Sequence, residues 1–275
     1  MWRESKALIF LLLTATLQGS TFPLQKLVVS DISPFVYNAV RFGIAALLSL
    51  WMFGPGRFKR GFLLGLVLCG AYIFQIWGLR FTSAAKSGFI VSSFVFFVPI
   101  FSFLLEGERL RKMHLLSFAL GFFGIYLLTG GMGSFSSGDL FQLICAVLFA
   151  LHVVLITRFS KVEREKDMMF WQFLVVAMIN FVFGAGSFHL PVDALAVGLY
   201  SGVFATAFGI LWQMRYQKEV GSNTTALVYM TQPFISLVLS ILLLGEKMSV
   251  LQFVGGLITA FAFFTGTCVR KKRST

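Results

Sequence analysis

Ten apolar runs occupy most of the chain, and each is long enough to cross a bilayer as a helix. A membrane-spanning helix needs roughly 20 apolar residues, because the hydrocarbon core is about 30 Å thick. Backbone groups in lipid must find partners within a helix or a closed barrel, and runs without alternating polarity favour helices. The sequence therefore predicts an all-α integral membrane protein, with ten transmembrane helices at 7–28, 34–53, 61–79, 84–105, 112–130, 138–157, 168–188, 194–214, 223–244 and 249–269.

The composition agrees with a protein surrounded by lipid. Hydrophobic residues make up 57% of the chain and charged residues 12%, whereas a soluble domain has roughly 25% charged residues. A net charge of +12 suggests nucleic-acid binding in a soluble protein, but here the charges form short clusters between apolar runs. We therefore expect a lipid bilayer and no nucleic acid as partners. The three cysteines are isolated, so we expect no disulfide framework, metal site or cofactor.

Lysine and arginine residues predict the orientation in the membrane. Of the 23 basic residues, 18 fall in segments on the same side as the N-terminus, and four fall on the other side. Because cytoplasmic loops carry the excess of positive charge, both termini are predicted to be cytoplasmic in a bacterial inner membrane. The first run follows Arg3 and Lys6 as a signal peptide would, but it continues to Val29, so we interpret it as a retained helix.

One long element occurs twice, at 83–109 and at 221–247. Each copy begins with small and polar residues, continues as an apolar helix with a proline, and ends at Gly-Glu-Arg or Gly-Glu-Lys. Glu108 and Glu246, the glutamates of these closing motifs, are 138 positions apart, half of the 275-residue chain. An internal repeat of this length predicts a fold made of two related halves.

The same offset of 138 joins Gln75 to Gln213, so the repeat extends beyond this element. We expect the halves at 1–132 and 133–275, with five helices each. An odd number of crossings inverts the second half relative to the first. The predicted fold is therefore two inverted five-helix repeats around a central cavity, a plan typical of secondary transporters with a midplane substrate site.

Paired glycines predict close helix packing at equivalent places in the two halves. Gly61 and Gly65 form a Gly-x-x-x-Gly motif in the third run, and Gly198 and Gly202 repeat it in the eighth. Small residues at this spacing let transmembrane helices approach closely.

Acidic residues are missing from the middle of every apolar run. Carboxylate relays are the usual device of proton-driven pumps, so the sequence has no obvious place for one. A membrane enzyme would need paired carboxylates, a nucleophile with its base, or a metal cluster. The histidines lie on separate runs, so we expect a protein that is not an enzyme: His114, His152 and His189.

Three ionisable side chains lie in or near the runs, and such residues are functional candidates by default. Arg41, in the second run, either holds the structure together or contacts the solute. Lys86, at the start of the fourth run, either reaches the membrane interface or lines the outer vestibule and attracts a negatively charged group. His152, in the middle of the sixth run, is either a neutral packed side chain or a proton acceptor.

Uncharged polar residues suggest where a polar solute binds. Gln75 and Gln213 occupy equivalent places and suit either hydrogen bonds between helices or recognition of a solute. Tyr229 and Gln232 precede a proline in the ninth run, and Trp212 offers an apolar ring for stacking. The prolines of the fourth and ninth runs free backbone carbonyls one turn earlier and are predicted helix breaks: Pro99 and Pro233.

The pattern resembles the EamA-like branch of the drug/metabolite transporter superfamily, over nearly the whole chain. In the first half the likeness lies in TATLQGSTFPLQK, SPFVYNAVRFGIAAL and LRFTSAAKSGFIVSSFVFFVPIFSFLLEGERL, and in the second half in GDLFQLICAVLFALHVVLITR and TTALVYMTQPFISLVLSILLLGEKMSVLQFVGG. The resemblance implies ten helices in two inverted repeats and export or exchange of amino acids, metabolites or drugs. It also implies a structural role for Arg41, which matches an arginine usual in the family. The chain departs from the family at Gln18, Lys86 and His152.

These observations favour an inner-membrane transporter of a small organic metabolite, such as an amino acid, that works by alternating access. Gln75, Gln213, Tyr229 and Gln232 would hydrogen-bond the solute. Lys86 and His152 would favour a solute with a carboxylate, and Trp212 would supply apolar surface. The alternatives are a membrane-embedded enzyme, or a scaffold or channel subunit, although a channel filter needs rings of polar groups supplied by symmetry.

Overall fold

The structure is a computed structural model that describes residues 2–28, 31–81, 87, 90–108, 112–128, 136–244 and 249–268. Within these ranges the chain forms ten helices and no strand, which confirms the predicted fold class. Seven of the helices are at least 18 residues long and apolar enough to cross a membrane, and the other three are shorter apolar helices. The helices are α1 (Trp2–Val28), α2 (Pro34–Phe53), α3 (Phe58–Phe81), α4 (Ile90–Glu106), α5 (Lys112–Leu128), α6 (Ser137–Ser160), α7 (Lys166–Gly184), α8 (Val192–Val220), α9 (Ser222–Tyr229 and Gln232–Leu244) and α10 (Val250–Cys268).

The helix α8 is longer than predicted and changes its winding along its length. It continues six residues past the predicted end, to Val220, because its last turns pack against α1 and α6 instead of ending at the membrane surface. Its middle, Ser201–Phe208, is a π-helix. Such widened turns are rare and are frequent at functional sites.

The helices α4 and α9 are interrupted at equivalent places. The turn in α4 is at Ser93, and the break in α9 includes Thr231, 138 positions later. At each place the hydroxyl donates to the carbonyl three residues earlier, to Ile90 at 2.6 Å and to Val228 at 2.8 Å. Hydroxyls that bond back to the helix backbone in this way bend helices. The break is therefore a feature that both copies of the repeat share.

The predicted proline breaks are therefore only partly right. Pro233 follows the break in α9, two positions after Thr231. Pro99 lies inside the uninterrupted segment Phe94–Glu106 and does not break it. A transmembrane helix tolerates a proline where neighbouring helices pack around it, and Pro99 is buried against such neighbours.

Contacts between helix ends establish two faces of the bundle. We call one of them the basic face, where Arg60 at the start of α3 pairs with Glu163 after α6 at 2.8 Å, and Lys161 pairs with Glu106 at the end of α4 at 2.9 Å. At the opposite face, the hydroxyl of Ser136 before α6 donates to the Phe81 carbonyl at the end of α3. The helices α3 and α6 are therefore antiparallel.

The packing of the helices repeats when the two halves are exchanged. The pairs α2–α7 and α5–α10 each join one helix to its own counterpart. The contact of α3 with α6 corresponds to that of α8 with α1, and the contact of α4 with α6 corresponds to that of α9 with α1. Because each half has five helices, the two repeats are inverted, as the sequence predicts.

Both Gly-x-x-x-Gly motifs lie where helices from different halves pack closely. A Cβ atom at Gly65 would lie 2.8 Å from the Cβ of Val175 on α7. A Cβ at Gly202 would lie 2.7 Å from the backbone oxygen of Arg41 on α2. The glycines thus hold α3 against α7 and α8 against α2, which brings the two halves together.

We expect Gly65→Val to lower the stability of the purified protein by about 1–3 kcal/mol, because the added methyl groups overlap α7. Gly43→Val on α2 is the matched control, since nothing lies within 4 Å of a Cβ at Gly43. Thermal unfolding in detergent compares the two variants. An equal loss of melting temperature in both would contradict close packing at Gly65.

Candidate functional site

A cavity lies between the two halves and receives side chains from seven helices, α1, α2, α3, α4, α6, α8 and α9. Its volume is about 80 Å³, below the roughly 300–1,000 Å³ of sites for drug-sized ligands, so it fits a small solute. The wall consists of Gln18, Thr21, Phe22, Gln25, Arg41, Leu68, Tyr72, Gln75, Val91, Phe94, Phe149, His152, Val153, Ile210, Gln213, Tyr229 and Gln232.

The wall follows the internal repeat. The offset of 138 relates Gln75 to Gln213 and Phe94 to Gln232, and all four residues line the cavity. The offset also relates the wall residues Tyr72 and Val91 of the first half to wall residues of the second: Ile210 and Tyr229. The cavity therefore lies on the pseudo-symmetry axis of the fold, where the helices of both halves meet.

The helix α1 contributes more to this wall than the sequence indicated. It supplies Gln18, Thr21, Phe22 and Gln25, which have the spacing of one helix face. The sequence analysis singled out Gln18 only as a departure from the family pattern, and Thr21 and Phe22 were not predicted. The spacing of these polar residues was the available signal. Most residues of α1 are apolar, however, so the sequence did not show which face is turned inward.

The structure brings together six of the residues singled out in the sequence. Five are polar candidates, and the sixth is the intramembrane arginine: Gln75, His152, Gln213, Tyr229, Gln232 and Arg41. Lys86 lies outside the described residues. Trp212 is not on the cavity wall, because its ring packs edge-on against Phe10 at 5.3 Å and against Phe208.

Arg41 is buried and lies on the wall between α2 and α8. Its Nε donates to the Thr206 hydroxyl at 2.7 Å, and Thr206 belongs to the π-helical part of α8. The guanidinium carbon lies 5.1 Å from the centre of the Tyr72 ring and 5.5 Å from that of Phe42. Aromatic faces attract a cation at such distances, so the surroundings of Arg41 are favourable but neutral.

Two amides of α1 and α9 meet across the cavity. The Nε2 of Gln232 donates to the Oε1 of Gln18 at 2.8 Å. Gly19 allows the approach, since a Cβ there would lie 2.9 Å from the Gln232 carbonyl. The first residue after the break in α9 is thereby held against α1.

His152 and Tyr229 are buried polar groups with few partners. The Nε2 of His152 lies 3.4 Å from the Oε1 of Gln172 on α7. The Tyr229 hydroxyl has no hydrogen-bond partner among the described residues, although the side chain lines the cavity. A buried hydroxyl without a partner is costly, and a bound solute could supply that partner.

A chain of hydrogen-bonded side chains continues from the cavity toward the basic face. The Nε2 of Gln213 donates to the Oε1 of Gln217 at 2.9 Å, and the Nε2 of Gln217 donates to the Thr157 hydroxyl at 2.6 Å. The hydroxyls of Thr157 and Ser222 lie 2.7 Å apart, and Ser222 donates to the Glu106 carboxylate at 2.7 Å. We call this set, from Gln213 to Glu106, the polar chain.

The polar chain closes the cavity on its basic side. Gln217, Thr157 and Ser222 are fully buried, and Lys161 completes the chain at the surface by pairing with Glu106. The wall residue Gln213 lies seven positions before the end of α8 on this face, which is about 10 Å of helix. The cavity and the basic face are thus separated by two turns of packed helix.

Glu165 forms a further ionic contact on the basic face, in the connection between α6 and α7. Its carboxylate accepts from Arg215 Nε at 2.8 Å and lies 3.5 Å from Lys218 Nζ, both on α8. Partial burial alone would raise the pKa of Glu165. The hydrogen bonds from its own backbone N–H and from Arg215, with the charge of Lys218, lower that pKa below its ordinary value, so the carboxylate is charged at neutral pH.

The described residues contain no group of three His, Cys, Asp or Glu side chains that could hold a metal ion. The chemistry of the wall is therefore that of amides, hydroxyls, aromatic rings, His152 and the guanidinium of Arg41. Such groups can bind and orient a solute through hydrogen bonds and charge.

Comparison with known proteins agrees with this architecture. A solved crystal structure of another protein superposes with a TM-score of 0.83 at 19% identity, over 98% of this chain and 99% of that one. At this identity the likeness shows the fold alone. An uncharacterized transporter of Archaeoglobus fulgidus is 31% identical over 92% of this chain and 82% of its own length.

A further relative, named the aromatic amino acid exporter YddG, comes from Ancylobacter novellus. It is 28% identical over 60% of this chain and 62% of its own length. The model of the EamA-like transporter family matches twice, at residues 5–130 and 136–265. The chain is thus a multi-pass membrane transporter that belongs to the EamA-like transporter family.

Proposed function

We propose that this transporter carries a small organic metabolite, such as an amino acid, across the cytoplasmic membrane by alternating access, as an exporter or exchanger. The observation that carries the proposal is the cavity between the inverted halves. Its wall joins five amides to aromatic rings, and the amides offer both donors and acceptors: Gln18, Gln25, Gln75, Gln213 and Gln232. The excess of basic residues supports an orientation with the basic face in the cytoplasm.

The polar chain supports alternating access, because a transporter of this kind must close one side of its site while the other opens. The chain joins α6, α8 and α9 to α4 on the basic side. Its links are hydrogen bonds, which water can replace when the helices separate. We propose that it is the gate on the basic side.

We expect Gln75→Ala and Gln213→Ala each to raise the KM for transport about 3- to 10-fold, because each removes hydrogen bonds to the solute. Counterflow of a panel of radiolabelled amino acids in proteoliposomes measures the change. Gln252→Ala on α10 is the control, because its amide oxygen accepts from the Ser249 N–H at the helix start and Gln252 is not among the described wall residues. Unchanged transport in both cavity variants would contradict the assigned site.

Tyr229→Phe separates solute binding from folding. The hydroxyl has no partner within the described part of the chain, so its removal should leave the melting temperature unchanged or higher. Counterflow should fall about 3- to 10-fold if the solute bonds to this hydroxyl. A lower melting temperature with unchanged transport would assign the hydroxyl to the fold instead.

The gate is tested with a cysteine in place of Val153, on the cavity side of the polar chain, in a protein without its natural cysteines. Thr157→Val keeps the shape of the side chain but removes the hydroxyl that accepts from Gln217. We expect this change to increase the rate at which the cysteine reacts with a membrane-impermeant thiol reagent applied at the basic face, by about threefold or more.

Thr16→Val is the matched control, because the Thr16 hydroxyl is outside the polar chain and donates to the Leu12 carbonyl of its own helix at 2.9 Å. Equal labelling rates in the Thr157 and Thr16 variants would show that the polar chain does not hold the gate closed.

A further inference from the structure

Arg41 is a buried cation that has no charged partner in the part of the chain that the structure describes. Its side chain is 2% exposed and lies on the cavity wall. The ion pairs among the described residues involve other basic side chains, all at the basic face, and none includes Arg41. The described wall residues include no aspartate or glutamate. Among the described residues, the cavity wall therefore has the positive charge of Arg41 and no acidic group to balance it.

The neutral contacts of Arg41 hold its position but do not neutralise its charge. Thr206 accepts from Nε, and the rings of Tyr72 and Phe42 lie beside the guanidinium. An isolated charge in a membrane interior is costly, and such residues pair with other charges or face a water-filled cavity. The guanidinium also has N–H groups on both Nη atoms, in a planar fork that matches a carboxylate.

We propose that Arg41 binds the carboxylate of the transported solute, so that the substrate class is carboxylate-bearing organic metabolites. This inference rests on the proposed function, and it gives Arg41 a binding role in place of the structural role implied by the family resemblance. The solute supplies the negative charge that the wall lacks. The amides of Gln18 and Gln232 on α1 and α9 provide hydrogen-bonding groups for the rest of a small polar molecule.

The opposite charge class does not fit this wall. A solute that is only cationic would meet the Arg41 guanidinium in a site without a carboxylate. Like charges enclosed at low dielectric repel strongly. An amino acid fits, because its carboxylate can pair with Arg41 while amide oxygens accept from its ammonium group.

The first test is the melting temperature of the purified protein without solute. If Arg41 is an uncompensated charge, Arg41→Met should melt at the same temperature as the natural protein or higher, since a methionine of similar length fills the space. If Arg41 holds the fold together, the same variant should melt lower or fail to fold, and that result would overturn the proposal. Arg60→Met is the matched control and should melt lower, because it breaks the 2.8 Å pair with Glu163.

The second test uses solute pairs that differ only in the carboxylate. L-phenylalanine, L-leucine and L-threonine are each compared with their carboxamides, at equal ionic strength set with sodium chloride. We expect the acids to bind the natural protein about 10- to 100-fold more tightly than the amides, measured as the concentration that gives half of the thermal stabilisation. Arg41→Met should lose this preference, Arg41→Lys should keep part of it, and Arg60→Met should keep all of it.

Other outcomes count against the proposal in distinct ways. The role of Arg41 would be overturned if acid and amide stabilised the protein equally, or if the preference for the acid persisted in Arg41→Met. It would also be overturned if sodium chloride alone stabilised the protein, or if none of the three acids did. Counterflow of the same labelled acids in proteoliposomes tests the proposed function separately. Arg41-dependent binding without counterflow would leave the binding role intact and refute transport of these acids. Counterflow of the acids that is unchanged in Arg41→Met would support their transport and refute the binding role of Arg41.

Discussion

The absence of water from the hydrocarbon core is the constraint on which the rest of this structure depends. Each unpaired backbone group there costs several kcal/mol, so the membrane part of the chain is built of helices. Polar side chains at the same depth must also find partners. The Tyr37 hydroxyl donates to Ser201 at 2.8 Å between α2 and α8, and Asn180 of α7 donates to the Val176 carbonyl of its own helix. The Tyr229 hydroxyl has no such partner among the described residues and lines the cavity, so it is a group that a solute can satisfy.

The inverted repeat brings polar residues of both halves together on one cavity wall. The glycines of α3 and α8 bring the halves into contact at Gly65 and Gly202. The breaks in α4 and α9, at Ser93 and Thr231, then direct the following residues into the space between the halves. The symmetry is incomplete at one important place, since the π-helical part of α8 that holds Thr206 beside Arg41 has no counterpart in α3. The cavity thus combines a repeated frame with one charge that is not repeated.

The sequence was sufficient to predict the helices and their arrangement, because run length and an odd number of helices per repeat are properties of composition and order alone. It also indicated most of the polar wall, since the offset of 138 pairs Gln75 with Gln213. It did not reveal the inward face of α1, because most residues of that helix are apolar. Nor did it reveal that Trp212 turns toward Phe10, or that Gln217 and Ser222 complete the polar chain. Those features depend on the rotation of each helix about its axis, which packing between helices determines.

The unpaired charge of Arg41 also bears on how such a transporter would cycle. Closing an empty cavity around this guanidinium removes water from a cation that has only neutral contacts, and the cost rises as the surroundings lose polarity. A solute carboxylate cancels the charge, so under our proposal the loaded cavity closes more easily than the empty one. If only the solute-loaded transporter switches readily between its inward-open and outward-open states, an outward step with one solute must be followed by an inward step with another solute. The same physical feature that selects a carboxylate would therefore favour exchange of solutes over net export.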